Sequence, residues 1–449
     1  MYTMIFLVSF IEIRRQRRRT FIDDYDHLND SKFAPGVSLI VTAYNERISI
    51  VDSVRSYLKL QYPKMELIVV NDGSTDDTLD ILLKEFKLKK IFKKLRAHAS
   101  CRQVTGYYVP ETDSKLIVID KLNGGKADAL NAGINAAHYP YFASLDGDSI
   151  IQSDALLKIM TPVFQNPNKV VGVGGRVRVA NDCVLQDGQV KEVKMSRNPL
   201  VVFQILEYMR AFTAGRMGFS LLKSLPITSG AFSFYNTAMA REMGGYDPDA
   251  IGEDFEIIIR VHKTMREKKK DYEVRFKAYP VCWTEVPSTI RALAKQRNRW
   301  HRGLTSVLQK HESMLFNPKY GRIGLFSLPF FFLFEFAGPI IEAMGYIYIL
   351  YAFMTGSVHW PWFFLFLGVS ILWGTFLSML AVLYEDLNFK WYKKWYHIAV
   401  LILFAVLENV SYRQMTVVWR LHGLFDYMRG DESWGSNKRK GFTNNHAGH

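Results

Sequence analysis

The sequence MELIVVNDGS (65–74) joins a β-rich apolar run to a polar cluster that begins where the run ends. Longer mixed segments separate it from similar runs, and such alternation is typical of an α/β domain with a parallel or mixed sheet. Open α/β sheets bind ligands at the carboxyl ends of their strands, so polar clusters in these positions indicate a binding site. The arrangement recurs in VSLIVTAYNE (37–46), KLIVIDKLNGGKAD (115–128) and YFASLDGD (141–148).

The composition of the 449-residue chain limits the classes of protein that it fits. The chain is 49% hydrophobic, which excludes a disordered protein. Its net charge of +14 suits a protein that faces anionic lipid, anionic substrates or nucleic acid. The run 343–384 lacks Asp, Glu, Lys and Arg and exceeds the roughly 20 apolar residues that cross a bilayer, so a membrane protein is favoured. Cys101, Cys183 and Cys282 lack CxxC spacing and predict reduced thiols, without a disulfide framework or zinc site.

The N-terminus pairs an apolar segment (1–13) with five arginines in 14–19. The apolar part is short for a span, and the basic residues follow it, whereas in a signal peptide they come first. We expect residues 1–20 to be a membrane anchor, either an interfacial helix or a transmembrane helix whose start is missing. The positive-inside rule places the arginines in the cytosol, and their position beside an apolar segment suits a membrane boundary better than nucleic acid.

Apolar segments predict transmembrane helices within 321–421, followed by a basic tail (422–449). The last segment turns polar at Glu408, Asn409 and Arg413. Ionisable groups at such a depth usually face a bundle interior or a watery cavity, so these three side chains are candidates for lining a pore. The three apolar segments are 323–354, 360–384 and 397–421.

The turn Asp146-Gly147-Asp148 is the candidate metal site. Two carboxylates separated by one small residue at a strand end can hold a hard divalent cation together with a diphosphate. A solvated turn is the alternative, and it is the usual fate of a single such motif. Lys126 follows two glycines and can meet phosphate oxygens, or it is an ordinary surface lysine.

Three later motifs supply the groups that sugar transfer requires: Ser229-Gly230, Glu253-Asp254 and QRNRW (296–300). A carboxylate can remove a proton from an acceptor hydroxyl, an arginine can neutralise charge on a departing diphosphate, and an indole offers an apolar face to a sugar ring. Taken singly, Glu253-Asp254 could instead cap a helix, and QRNRW could belong to an amphipathic surface helix.

In this combination and order, the motifs resemble those of the membrane-embedded family 2 glycosyltransferases, which include cellulose, chitin, hyaluronan and poly-N-acetylglucosamine synthases. The resemblance covers about residues 37–305 and, in outline, the membrane part, and its most specific element is QxxRW. It implies an α/β fold, a GT-A-like mixed-sheet domain that binds a nucleotide sugar, fused to transmembrane helices. The implied divisions are a membrane anchor with a basic flank (1–20), a cytosolic catalytic domain (33–285), interfacial helices (286–320), transmembrane helices (321–421) and a basic cytosolic tail (422–449).

The resemblance also implies roles on the donor side of the site. Tyr44, Glu46 and Asp72 would hold uridine, and Lys126 would approach the donor phosphates. Asp146 would lie near the nucleotide. The cofactor would be Mg²⁺ or Mn²⁺, bound by Asp148 with Asp146.

On the acceptor side, Asp254 of the Glu253-Asp254 pair would be the general base. Ser229 and Gly230 would help to form the acceptor pocket. In the tail, Trp434, Gly435 and Arg439 are similar to the gating segment of hyaluronan synthases, although a basic tail on anionic lipid is the alternative. Diphosphate and the acceptor sugar would be bound by Gln296, Arg299 and Trp300.

The resemblance therefore implies an inverting, processive β-glycosyltransferase of the hexosyltransferase type. It would polymerise a UDP-sugar on the cytosolic face of the plasma (inner) membrane as a multi-pass protein and pass the polysaccharide outward. UDP-N-acetylglucosamine is favoured, while UDP-glucose and hyaluronan-type synthesis stay open. Single-sugar transfer to a membrane lipid and an inactive export scaffold stay open as well. The expected partners are the UDP-sugar, the growing polysaccharide and membrane lipid, with an accessory membrane subunit as an open option and nucleic acid not expected.

Overall fold

The elements of the N-terminal two thirds alternate between helices and strands. The computed structural model describes residues 2–20, 34–93, 96–111, 115–147, 149–186, 189–392 and 394–430, without the side chains of 17–20, 280 and 281. The helices are α1 (Tyr2–Thr20), α2 (Ile50–Leu58), α3 (Thr78–Glu85), α4 (Lys126–Ala136), α5 (Ala155–Gln165), α6 (Pro199–Tyr208), α7 (Met217–Leu221), α8 (Thr237–Glu242), α9 (Glu253–Glu267) and α10 (Ile290–Lys310). The strands are β1 (Val37–Ala43), β2 (Met65–Asp72), β3 (Leu88–Lys90), β4 (Val104–Pro110), β5 (Leu116–Lys121), β6 (Tyr141–Asp146), β7 (Ile150–Ile151), β8 (Val170–Val179), β9 (Val184–Gln186), β10 (Gln189–Glu192), β11 (Phe232–Asn236) and β12 (Glu273–Thr284).

Ten of these strands form one mixed sheet in the order β3-β4-β5-β2-β1-β6-β11-β8-β12-β7. Strands β5, β2, β1 and β6 run parallel, whereas β11 is antiparallel to both β6 and β8. Every residue of β2 is buried, as expected for a parallel strand that is covered on both faces. The four strands predicted from the sequence and the mixed α/β sheet are confirmed.

Helix α4 packs closely on the sheet through its small residues. Of its eleven residues, Lys126 alone is not buried. A Cβ atom on Gly133 would lie 2.3 Å from Cγ2 of Ile40 in β1, so only glycine fits at this contact. The close packing fixes the N-terminus of α4 at the carboxyl edge of the parallel strands.

Among the described residues, three helices are long and apolar enough to cross a membrane: α11 (Ile323–Met354), α12 (Trp360–Phe389) and α13 (Trp395–Met428). They confirm the three apolar segments predicted from the sequence. Two of them contain π-helical turns, at Phe331–Phe336 in α11 and at Glu408–Tyr412 in α13.

The polar groups of α13 that were predicted to line a pore have partners inside the fold. The carboxylate of Glu408 pairs with Arg210 and accepts a hydrogen bond of 2.6 Å from Ser378 Oγ. Asn409 Nδ2 donates to the carbonyl of Ala405 in its own helix at 2.9 Å and to Oγ1 of Thr375 in α12 at 3.3 Å. Arg413 binds both carboxylate oxygens of Glu342, at 2.8 and 3.0 Å. These contacts fasten helices to one another, and a role in lining a pore stays a prediction.

Helix α1 packs against the sheet domain. A Cβ atom on Gly218 of α7 would lie 2.8 Å from the carbonyl oxygen of Ile5, so α1 and α7 cross at a backbone contact. Further along, the amide of Gln16 donates to the carbonyl of Phe276 at 2.8 Å and accepts from the backbone N–H of Ala278 at 3.1 Å. Gln16 thereby hydrogen-bonds β12 in the manner of a neighbouring strand.

A buried ionic cluster joins α12 to the sheet. Glu385, which is 2% exposed, pairs with Arg176 and Arg178 of β8. The guanidinium of Arg178 also lies 5.0 Å from the ring centres of Trp283 and Trp391. A buried cation needs such compensation because leaving water costs it several kcal/mol.

We expect Glu385→Ala to lower the free energy of unfolding by about 3–5 kcal/mol, because two buried guanidinium groups would lose their shared anion. Thermal unfolding of the detergent-solubilised chain, followed by size-exclusion chromatography, measures this. The control is Glu242→Ala, which removes an exposed ion pair with Lys268 and should cost under about 1 kcal/mol. Equal stability of the two variants would contradict the assignment.

Candidate active site

The polar clusters that follow β1, β2, β5 and β6 meet at one edge of the sheet. In the strand register, Thr42 pairs with Asp146, Ala43 with Asn71, and Asp72 with Lys121. The carboxyl ends of the four strands therefore lie side by side at the same edge of the sheet, as their sequence pattern predicted.

Asp72 holds the loop that leads into α4. Its carboxylate is buried and accepts hydrogen bonds from the backbone N–H groups of Gly124 and Gly125, at 3.0 and 2.8 Å. The ammonium of Lys121, also buried, lies 2.5 Å from carboxylate oxygens of both Asp72 and Asp128. Gly125 has a φ of 85°, a conformation that favours glycine. Asp72 thus shapes the backbone that presents Lys126.

Lys126 joins two parts of the chain that are far apart in sequence. Its Nζ atom lies 2.7 Å from Oδ1 of Asp146 and 3.2 Å from Oε1 of Glu253, and it donates to the carbonyl of Gly230 at 2.9 Å. Burial by itself lowers the pKa of Lys126, but the charges of Asp146 and Glu253 outweigh burial and raise it above its ordinary value. Lys126 is therefore a cation shared by a carboxylate at the sheet edge and one at the start of α9.

Asp254 lies beside this cation, across the loop that contains Ser229 and Gly230. A Cβ atom on Gly230 would be 3.2 Å from Lys126 Nζ and 3.6 Å from Oδ2 of Asp254, so the glycine keeps space open between the two side chains. Burial, and then the negative charge of Glu253, raises the pKa of Asp254, and Lys126 partly offsets that rise. Ser229 Oγ accepts from the N–H of Ala231 at 3.3 Å and supports the same loop.

Arg216 is a further cation at this site, and no sequence pattern predicted it. Its Nε donates to the carbonyl of Thr228 at 2.9 Å, and its guanidinium carbon lies 3.9 Å from the ring centre of Phe212. Burial lowers the pKa of Arg216 to about 10, against the opposing charge of Asp254. The sequence carries no signal for it, because it is a single arginine outside any motif, in a π-helical segment (Met209–Arg216).

The QRNRW motif lies on α10, which crosses the start of α9 at a contact between two glycines. A Cβ atom on Gly303 would lie 3.1 Å from the Cα atom of Gly252, next to Glu253. Trp300 is 44% exposed, and the guanidinium of Arg297 lies 4.4 Å from its ring centre. Gln296 Oε1 is buried and accepts no hydrogen bond from the described residues. The fold thus brings the helix of the Glu253-Asp254 pair against the helix of QRNRW.

The remaining donor-side residues lie at the sheet edge. Tyr44 is half exposed, and Oε2 of Glu46 accepts from Ser49 Oγ at 2.9 Å. A Cβ atom on Gly147 would be 3.8 Å from Cγ of Glu46, so Glu46 faces the turn of the candidate metal motif. Four predicted site residues lie outside the described part of the chain: Asp148, Trp434, Gly435 and Arg439.

The match to a known family covers the sheet except for β12. Residues 38–244 match the family described as glycosyl transferase family 2. These residues form a glycosyl transferase family 2 domain. It contains both the sheet edge and the Ser229-Gly230 loop, whereas Asp254 and QRNRW follow it along the chain.

Relatives of the chain, and a solved structure of similar fold, extend the match beyond the family 2 domain. The chain is 31% identical over 273 residues to a poly-beta-1,6-N-acetyl-D-glucosamine synthase of Staphylococcus epidermidis and 28% identical over 273 residues to one of Staphylococcus aureus (strain COL). Each match covers 61% of this chain and 55% of the relative, so the chain spans about half the length of these relatives. A mannosyltransferase from Pyrobaculum calidifontis, solved in complex with GDP-Man and Mn²⁺, has a TM-score of 0.50 at 18% identity, over 92% of this chain and 99% of that one. This likeness supports the GT-A-like fold expected from the sequence.

We expect Asp72→Asn to lower the free energy of unfolding by about 2 kcal/mol, because the loop N–H groups and buried Lys121 would lose a charged acceptor. The decrease in the free energy of unfolding should be smaller than the decrease caused by leaving a buried charge unpaired, since Asp128 still pairs with Lys121. Thermal unfolding measures it, with Asp249→Asn, an exposed position, as the control near zero. If the two variants unfold alike, Asp72 does not hold the loop.

Proposed function

We propose that the chain is an inverting β-glycosyltransferase that polymerises a UDP-sugar, with UDP-N-acetylglucosamine the favoured donor, and passes the polymer across a membrane. The single observation that carries the proposal is the Lys126 cation, shared by Asp146 and Glu253 with Asp254 beside it. The family 2 domain and the names of the two staphylococcal relatives support this activity and this donor.

The proposed reaction uses Asp254 as the general base. Its carboxylate takes the proton of an acceptor hydroxyl, and the hydroxyl oxygen attacks the anomeric carbon of the donor sugar. The bond between that carbon and the phosphate oxygen breaks, and UDP leaves with the electron pair. Attack opposite the leaving group inverts the configuration at the anomeric carbon. A raised pKa suits Asp254 to this role, because a base with a very low pKa removes a proton poorly.

The cations of the site oppose the charge that builds on UDP. Lys126 stands at the N-terminus of α4, where backbone N–H groups and the helix dipole also favour a phosphate. Arg299, on α10, is proposed to meet the diphosphate from the other side. Tyr44 and Glu46 are assigned to the uridine end, and Asp72 acts there through the loop that it holds.

A divalent cation, Mg²⁺ or Mn²⁺, is proposed at the sheet edge. Asp146 offers carboxylate oxygens there, Glu46 lies against the next residue, Gly147, and hard cations prefer carboxylate ligands, so these residue types suit the ion. Asp148, which lies outside the described residues, is proposed to bind it with Asp146. When bound, the ion supplies positive charge that stabilises the departing diphosphate. The Mn²⁺ in the mannosyltransferase structure from Pyrobaculum calidifontis is consistent with this assignment.

The acceptor is proposed to lie between Asp254 and the exposed face of Trp300. Gln296 Oε1 accepts no hydrogen bond from the described residues, and leaving such a buried oxygen unsatisfied costs about 1–3 kcal/mol. A hydroxyl of the acceptor sugar could donate the missing hydrogen bond. Ser229 and Gly230 form the opposite wall, and Gly230 leaves room for the sugar.

We assign the catalytic domain (33–285) and the interfacial helices (286–320) to the cytosol, with 321–421 crossing the plasma (inner) membrane several times. The anchor (1–20) and the tail (422–449) complete this proposed organisation, and Trp434, Gly435 and Arg439 keep their proposed gating role. Membrane lipid and an accessory membrane subunit are proposed as partners. The three apolar helices support the arrangement.

Membrane vesicles that contain the chain test the proposal. They receive radiolabelled UDP-N-acetylglucosamine or UDP-glucose, with Mn²⁺ or with EDTA. We expect high-mass product from the first donor, its loss with EDTA, and at least about a thousandfold slower transfer by Asp254→Asn with UDP binding retained. Label in a lipid extract only would indicate a glycolipid transferase, and absence of both incorporation and UDP release would contradict the proposed activity. Equal loss of UDP binding in the variant would contradict the role of Asp254.

Glu253→Gln should shift the pH dependence of transfer. Removing the negative charge beside Asp254 lowers the pKa of that carboxyl, so the base stays deprotonated to lower pH and the acid limb of the rate profile moves to lower pH. The profile of initial rate against pH measures the shift. Glu267→Gln, at the exposed far end of α9, makes the same charge change and should leave the limb in place. An unmoved or raised acid limb in Glu253→Gln would argue against Asp254 as the base.

A further inference from the structure

The middle residues of QRNRW contact the last membrane-crossing helix. Asn298 Nδ2 donates to Oδ2 of Asp426 in α13 at 2.6 Å. At the same crossing, a Cβ atom on Gly423 would lie 2.6 Å from the carbonyl oxygen of Asn298, so the two helices touch backbone to backbone. A polar hydrogen bond beside a glycine contact fixes both the spacing and the register of α10 against α13.

Arg297 makes a second polar attachment to the same helix. It is 6% exposed and pairs with the carboxylate of Glu207 in α6. Tyr412, in α13, donates to that carboxylate at 2.7 Å and accepts from Arg297 at 3.2 Å. The three side chains form a closed network that ties α10, α6 and α13 together.

One turn further along α10, the contacts reach α11 as well. His301 is buried and stacks on Phe336 of α11, with ring centres 6.1 Å apart and planes at 6°. Arg420 of α13 donates to Nδ1 of His301 at 3.4 Å and pairs with Glu335 at 3.1 Å. The attached face of α10 therefore extends over more than one turn, along the helix that also crosses α9 at Gly303.

We propose that Arg297 and Asn298 are positioning residues that fasten the QRNRW helix to α13, so that the acceptor-binding side chains keep a fixed relation to the membrane helices through which the polymer leaves. This inference rests on the proposed function. Neither residue touches the reacting atoms; each acts through the placement of Gln296, Arg299 and Trp300. When the attachment is loosened, the polymer end leaves the site more often between additions, and chains become shorter while donor turnover changes less.

The test compares product length with donor turnover in vesicles containing the full chain. Asn298→Ala and Asp426→Ala each remove the hydrogen bond, and we expect mean product length to fall about fivefold, the factor that loss of one typical hydrogen bond gives, with UDP release per enzyme changing less. Asp426→Asn should retain near-normal length, since its amide oxygen can accept from Asn298. Tyr427→Phe is the matched control: it removes a 2.6 Å bond to Gln309 between the same two helices, away from the motif, and should leave length unchanged.

Each other result overturns the inference. Normal product length in Asn298→Ala and Asp426→Ala contradicts it. A decrease in product length no larger than that of Tyr427→Phe also contradicts it. So does an equal decrease in Asp426→Asn and Asp426→Ala. Size-exclusion chromatography of each variant measures its folded fraction. A decrease in product length that is fully explained by a smaller folded fraction contradicts the inference as well. Absence of any polymer from the unmodified chain would overturn the proposed function, whereas polymer of unchanged length in the variants would overturn this inference alone.

Discussion

The shared ammonium group of Lys126 is the interaction on which the rest of the site depends. Asp146, Glu253 and Asp254 bring three carboxylates to one confined place, where their like charges repel one another. The Lys126 cation between Asp146 and Glu253 lets the end of β6 and the start of α9 approach each other. The site therefore exists only where the parallel sheet and the later helices meet, and neither part contains it alone.

Two glycine contacts connect the helix that carries Asp254 to the membrane helices. Gly303 allows α10 to touch α9 beside Glu253, and Gly423 allows α13 to touch α10 at Asn298. A Cβ atom on Gly423 would lie 2.6 Å from the carbonyl oxygen of Asn298, so a side chain there would force the helices to shift, and one on Gly303, at 3.1 Å from Cα of Gly252, would strain the other crossing. The path from Asp254 to α13 thus runs through backbone contacts, which do not adapt as flexible side chains do.

The sequence could predict the parts of this structure that are local. A β-rich run followed by a polar cluster predicted the ends of β1, β2, β5 and β6, because strand period and turn chemistry are read from adjacent residues. The three apolar segments predicted α11, α12 and α13 for the same reason. The sequence could not predict Arg216 beside Asp254, or Asp72 holding the loop before α4, because both depend on which distant segment packs against them. The strands β8, β11 and β12 belong to the same sheet but were not predicted from the sequence.

The charges in the membrane-proximal helices illustrate the same limit. By sequence alone, an ionisable group in an apolar segment indicates function, because burying it costs several kcal/mol unless it is paired. In the described residues, Glu385 and Glu408 both find arginines that come from the sheet domain or the helices beside it, over 190 residues earlier in the chain. Pairing removes the energetic reason to place these carboxylates in a watery cavity. Because of this pairing, moving α12 or α13 away from the catalytic part would leave an unpaired charge in an apolar surrounding. These ion pairs thereby hold the membrane helices and the sheet domain together, and one of them uses Glu408, which the sequence alone would assign to a pore.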